Sequence, residues 1–280
     1  PTAPLNEDVK LLNLGDYLYL YSSNNGVTAY KANVSEPTNV VWEALTLDGM
    51  PQDVVLNTML VAFDALFVVA QDGNVYQSTD GASWQMVEGL SGDVQALLAA
   101  FPTTLAGIKQ VDGENYFCTT DASLQWALGE KVEEGFPTKN IQSAIHQTSN
   151  GVYKSVLVGA SEKNSDSVIP WFSMDGNSWA SMEPSADSYC PLTDRTSIIY
   201  YGDTYYLFDA GLYAFYSSPN GLVWKMETGK IRFPYSLRDA LGYSAAIDKN
   251  NFIWIVGGGN GIISNQLWRG RINRLGFERQ

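Results

Sequence analysis

The chain has 280 residues, 45% hydrophobic and 17% charged, a globular composition long enough to bury a core without staples. Its formal charge is 17 − 30 = −13, which repels phosphate backbones and argues against nucleic acid as a partner. No run approaches the ~20 apolar residues of a membrane helix. Two cysteines, Cys118 and Cys190, and one histidine, His146, make neither a disulfide framework nor a multi-histidine metal site, so no metal or other cofactor is expected.

Residues 1–8, opening Pro1-Thr2-Ala3-Pro4, read as a linker from an upstream region, and contact with an upstream domain of the same polypeptide is expected. From residue 9 the chain falls into six similar stretches: 9–50, 51–92, 93–136, 137–187, 188–233 and 234–280. Each begins with two short apolar runs separated by turn residues. These are 9–14 and 17–21, 54–63 and 65–70, 94–101 and 104–108, 141–146 and 154–159, 197–201 and 205–208, and 243–247 and 252–256. Segment 93–100 has helical composition, and only the repeat register makes it a strand. The insertion 163–167 lengthens the fourth stretch and reads as an exposed hairpin loop.

Each stretch ends in a hairpin closed by an aromatic residue: Trp42, Trp84, Trp126, Trp179, Trp224 and Phe277. The tryptophans are separated by 42, 42, 53 and 45 residues. The hairpin segments open on Ala32, Ser78, Thr119, Ser173, Ser217 and Gly270. Two residues earlier stand Tyr30, Tyr76, Phe117, Trp171, Phe215 and Trp268. Alternate residues of a strand share a face, so each aromatic and its small partner point the same way, and Asp80-Gly81, Asp175-Gly176 and Asn220-Gly221 supply tight turns. Four short strands per stretch, repeated six times, predict an all-β fold: a six-bladed β-propeller with four antiparallel strands per blade. On this register, packing between the first and sixth blades closes the ring.

Ser78-Thr79-Asp80-Gly81-Ala82-Ser83-Trp84 and Ser173-Met174-Asp175-Gly176-Asn177-Ser178-Trp179 resemble the Asp-box, the bacterial neuraminidase repeat, with one residue fewer between Asp and Trp. The segment ending at Trp126 has Ser123 in the glycine position, and that ending at Trp224 is read with Pro219 in the aspartate position. Gly257-Gly258 after an apolar run, followed by Trp268-Arg269, looks kelch-like. The whole is similar to propeller domains of secreted proteins from gut Bacteroidales. The resemblance covers nearly the whole chain and implies an exported, periplasmic or cell-surface setting. It also implies that the motif lies at the outer edge of each blade with a structural role. A sialidase would need an arginine cluster early in the chain, yet Arg195 is the first arginine.

Charge is unevenly spread. Residues 1–140 hold 5 Lys/Arg against 18 Asp/Glu, a net −13, and residues 141–280 hold 12 of each. Arg269, Arg271, Arg274 and Arg279 make a basic C-terminal end, read as strand-edge protection with contact to an acidic upstream domain as the alternative. Met50-Pro51, Phe136-Pro137 and Phe233-Pro234 follow the last strands of three blades and rigidify the connections. The ligand-site candidates there are Gln52, Asp53, Lys139, Asn140, Tyr235 and Arg238, a polar and aromatic set suited to a glycan or protein ligand. The expected function is a non-catalytic binding or interaction module. The alternative is a glycan-active hydrolase or lyase with a carboxylate-based site on the central face.

Overall fold

The computed structural model describes residues 8–23, 26–36, 40–137, 139–160, 170–181, 196–209, 214–227, 243–257 and 267–272. The short apolar runs pair as antiparallel meanders. The first sheet is β1 (Asp8–Leu14), β2 (Tyr17–Ser23), β3 (Val27–Asn33) and β4 (Trp42–Leu45). The second is β5 (Leu60–Ala62), β6 (Ala65–Val69), β7 (Val75–Ser78) and β8 (Gln85–Met86). The third is β9 (Val94–Ala100), β10 (Leu105–Val111), β11 (Glu114–Thr120) and β12 (Ala127–Lys131). The fourth is β13 (Lys139–Gln147), β14 (Tyr153–Ala160), β15 (Trp171–Ser173) and β16 (Ala180–Ser181). The fifth is β17 (Thr196–Tyr201), β18 (Thr204–Asp209), β19 (Ala214–Ser218) and β20 (Lys225–Met226). The sixth shows β21 (Tyr243–Ile247), β22 (Ile253–Gly257) and β23 (Leu267–Gly270) among the described residues.

First strands touch in ring order: β1 with β5, β5 with β9, β9 with β13, β13 with β17, β17 with β21, and β21 with β1. That circuit makes the molecule a six-bladed propeller with the first strands innermost. Segment 94–100 is strand β9, as the register requires, because tertiary pairing with β10 overrides its helical composition. The run 54–63 is not one strand. A 3-10 turn, Leu56–Thr58, interrupts it and leaves only Leu60–Ala62 paired in β5.

Apolar clusters fill the seams between blades. Leu12, Leu14, Tyr19 and Tyr21 of the first blade pack with Leu66, Val68 and Trp84 of the second. The closing seam is of the same kind: Val9, Leu11, Leu18 and Leu20 meet Ala246, Trp254 and Val256. Leu11 N–H donates to Ser244 Oγ across it (3.0 Å), and Asn250 Nδ2 donates to Val34 O (2.7 Å).

The aromatic column needs correction in two blades. Tyr76, Trp171 and Tyr216 stand opposite Met86, Ser181 and Met226 on the fourth strands, and in the third blade Cys118 stands opposite Leu128. The column residues are therefore Cys118 and Tyr216, where the sequence reading has Phe117 and Phe215. A one-residue slip exchanges sheet faces, and Phe117 accordingly packs toward the fourth blade, against Phe136 and Trp179. In the fifth blade the hairpin opens on Ser218, and Asn220, not Pro219, fills the aspartate position. All three tightest turns thus share one spacing, Ser-x-Asp/Asn-Gly-x-x-Trp. Phe277 and Cys190 lie outside the described residues.

Candidate functional site

The three matching turns hold the best-formed polar geometry among the described residues. In the second blade, Gly81 N–H donates to Ser78 Oγ (2.9 Å), and the Ala82 and Ser83 amides donate to Asp80 Oδ1 (2.8 and 2.7 Å). The fourth blade repeats this with Ser173, Asp175 and the amides of Gly176, Asn177 and Ser178. The fifth repeats it with Ser218, Asn220 and the amides of Gly221, Leu222 and Val223. Partial burial works against the Asp80 carboxylate, but four donated hydrogen bonds from Ser83, Ala82 and Ser78 prevail and hold its pKa at about 2.

These turns also reach across the seams. Tyr21 hydroxyl donates to Gly81 O (2.7 Å), Asp48 N–H to Ala82 O (2.9 Å), and Trp84 N–H to Asp48 O (2.8 Å). Thr119 Oγ1 donates to Asn177 Oδ1 (2.8 Å), and Lys154 Nζ to Asn220 O (3.0 Å). Each turn therefore cements its blade to the preceding one. Trp84, Trp179 and Trp224 are buried, whereas Trp42 and Trp126 are only partly so.

On the face carrying the connections between blades, the structure places two of the six sequence candidates fully. Gln52 and Asp53 are exposed. Gln52 Oε1 accepts from Val27 N–H (3.2 Å), and Asp53 O accepts from Gln71 N–H (3.1 Å). Lys139 and Asn140 begin β13, where Lys139 pairs with Ala160. Tyr235 and Arg238 lie outside the described residues, as do the side chains of Lys139 and Asn140.

The 3-10 turn Leu56–Thr58 approaches β1, β9 and β13, three inner strands spread around the ring, and so lies across the axis. Beneath it is a residue the sequence reading passed over. Lys10 on β1 is 8% exposed, and its Nζ donates to Asn57 O (3.3 Å). Burial pushes its ammonium pKa down to about 8. A lysine flanked by Val9 and Leu11 in an inner strand is the signal that could have found it.

At the opposite face, between the fourth and fifth blades, His146 stacks on Tyr200 (4.6 Å between ring centroids) and meets the Tyr205 ring edge-on (5.2 Å). His146 Nδ1 and the Tyr205 hydroxyl share a hydrogen bond, and that hydroxyl also lies 3.4 Å from Lys154 O. Desolvation and then Lys154 lower the histidine pKa, with Asp203 opposing. The imidazole is thus braced in the seam, with its neutral form favoured. Among the described residues no three His, Cys, Asp or Glu side chains group to hold a metal ion, and no helix is long and apolar enough to cross a membrane. Cys118 is a buried thiol whose pKa is raised by desolvation to about 12.

The sequence matches the DUF6242 beta propeller domain over residues 2–280, so the chain belongs to that family. A search of curated proteins returns no match. Among solved structures the fold is similar to that of YjhT, at 13% identity and TM-score 0.60, covering 98% of this chain and 96% of that one. It is also similar to an alpha-L-arabinanase of Penicillium chrysogenum complexed with arabinobiose, at 13% identity and TM-score 0.54, covering 95% of both chains. A third is YCF48 bound to D1 peptide, at 17% identity and TM-score 0.50, covering 95% of this chain and 82% of that one. At these identities the likeness concerns the fold alone.

Proposed function

We propose that this member of the DUF6242 propeller family is a non-catalytic binding module of an exported or cell-surface protein, taking a glycan or protein ligand on the face that carries the connections between blades. The observation that carries this reading is the make-up of the inner strands. Across β1, β5, β9, β13, β17 and β21 there is one acidic residue, Asp8, against Lys10, Lys139 and His146. Carboxylate-based glycoside hydrolysis needs two acidic groups roughly 5–10 Å apart, and the inner strands do not offer that pair. The 3-10 turn across the axis suits a shallow recognition surface better than a deep reaction chamber. The likeness to Asp-box and kelch-like secreted propellers belongs to the same reading, as does contact with an upstream domain of the polypeptide. Propellers place unrelated activities on one scaffold, so the fold contributes the scaffold only.

The test is a glycan and peptide binding screen run beside a panel of chromogenic glycosides on the purified domain. Binding without turnover, weakened by Tyr235→Ala or Arg238→Ala, is expected. Turnover that disappears when one central carboxylate becomes its amide, with the fold intact, would replace this reading by the hydrolase or lyase alternative.

A further inference from the structure

The outer part of the closing seam carries a second surface, on the face opposite the connections. Phe252 and Trp254 from β22 and the turn before it share a sheet face with Arg269 and Arg271 from β23 and the residue beyond it. Arg269 stands directly across from Trp254 in the register. The Arg271 guanidinium lies 4.0 Å from the Phe252 ring centroid, and that of Arg269 lies 4.8 Å from Phe252 and 5.4 Å from Trp254. Arg271 Nη2 also donates to Asn250 O (2.7 Å). Both arginines are exposed.

Neither arginine meets a carboxylate among the described residues. Asp248 is buried, and its oxygens already accept from the Asn250 and Phe252 amides and from Trp254 Nε1. Asp16 is engaged by Lys249. A guanidinium held over a ring by cation–π attraction still has N–H donors to offer, while much of the ordering cost of a long side chain is already met. Two braced guanidinium groups that meet no carboxylate among the described residues are a local inversion of the field of a chain of net charge −13.

From this geometry we infer that Arg269 and Arg271 form a binding site for an extended acidic peptide with carboxylates at alternate positions. The spacing selects the ligand. Residues two apart on a strand are about 6.7 Å apart, and alternate side chains of an extended peptide repeat at the same distance. Each guanidinium then takes one carboxylate through paired N–H donors, which an ammonium cannot reproduce. The pair lies on the face opposite Gln52 and Asp53, so this inference and the proposed function fail independently.

The test uses the purified domain and a fluorescent octapeptide alternating Glu and Ser, with an isomer whose four Glu residues are contiguous. Anisotropy titrations at low and high salt are expected to show tighter binding of the alternating peptide, weakened by salt. Arg269→Gln/Arg271→Gln should weaken it at least roughly tenfold, and Arg269→Lys/Arg271→Lys should weaken it nearly as much. Equal binding of the two peptides, or full retention by the double lysine variant, would show charge attraction alone and overturn the assignment. So would absence of peptide binding at millimolar concentration, or arginine-dependent binding of an oligogalacturonate in place of the peptide.

Discussion

Asp80 and Asn220 occupy the same place in two blades and accept from the same pair of backbone amides, one as an anion and one as a neutral amide. The charge is therefore a modest addition to a geometry that either side chain can make. The Asp80 pKa is depressed from its ordinary 3.8 to about 2. Its ionised form thus contributes stability fully above pH ~4, and that contribution is lost as pH falls through about 2. Asp80→Asn is expected to cost less than about 1 kcal/mol at neutral pH, as exposed substitutions do. The gap to the native protein should shrink between pH 4 and 2. Urea denaturation midpoints across that range check this, and a gap that widens in acid would contradict it. At this scale the sequence made the serines, aspartates and tryptophans of the second and fourth blades legible. It hid Asn220 because Pro219 and a neighbouring serine, Ser217, offered a second alignment. It also hid Lys10, whose significance arises only when the turn Leu56–Thr58 folds over it.

The hairpin between third and fourth strands acts mainly outside its own blade. Gly81 has φ +76, and a Cβ there would lie 2.2 Å from the Tyr19 ring of the preceding blade, while Gly113 has φ +83 with nothing within 4 Å. Both substitutions to alanine incur the left-handed backbone cost, roughly 1–2 kcal/mol. Only Gly81→Ala also forces the seam apart, and overpacking adds about 1–3 kcal/mol. Chemical denaturation should therefore rank Gly81→Ala well below Gly113→Ala in stability. Equal losses would mean that the turn does not bear on the preceding blade. A related signal stood in the sequence unread. Gly49, Gly89 and Gly129 recur every 40 residues, and an added Cβ at each would lie within 2.6 Å of an atom of the next blade's turn. The two misplaced aromatics have the same origin: Phe117-Cys118 and Phe215-Tyr216 each offer two bulky or apolar neighbours, and periodicity alone cannot say which faces which seam. The strand interrupted at Leu56–Thr58 was likewise illegible, since its residues are apolar enough for either state.

For the whole molecule, number of blades, strands per blade and ring closure were readable because a propeller must repeat the same short-range pattern in every blade. The proposed ligand surface was not, because connections follow no period and their chemistry depends on which of them converge. The ring is the unit that unfolds only if its six seams act together. Ser244 Oγ accepts the buried Leu11 amide across the closing seam, so Ser244→Ala leaves that N–H without its acceptor at a cost of about 1–3 kcal/mol. The most direct measurement is native-state hydrogen exchange of this variant, compared between β21 at the mutated seam and β10 and β14 across the ring. A closed cooperative ring predicts that the slowest amides in all three strands accelerate together, roughly tenfold for each ~1.4 kcal/mol lost. Acceleration confined to β21, with β10 and β14 unchanged, would contradict it and show blades that open on their own.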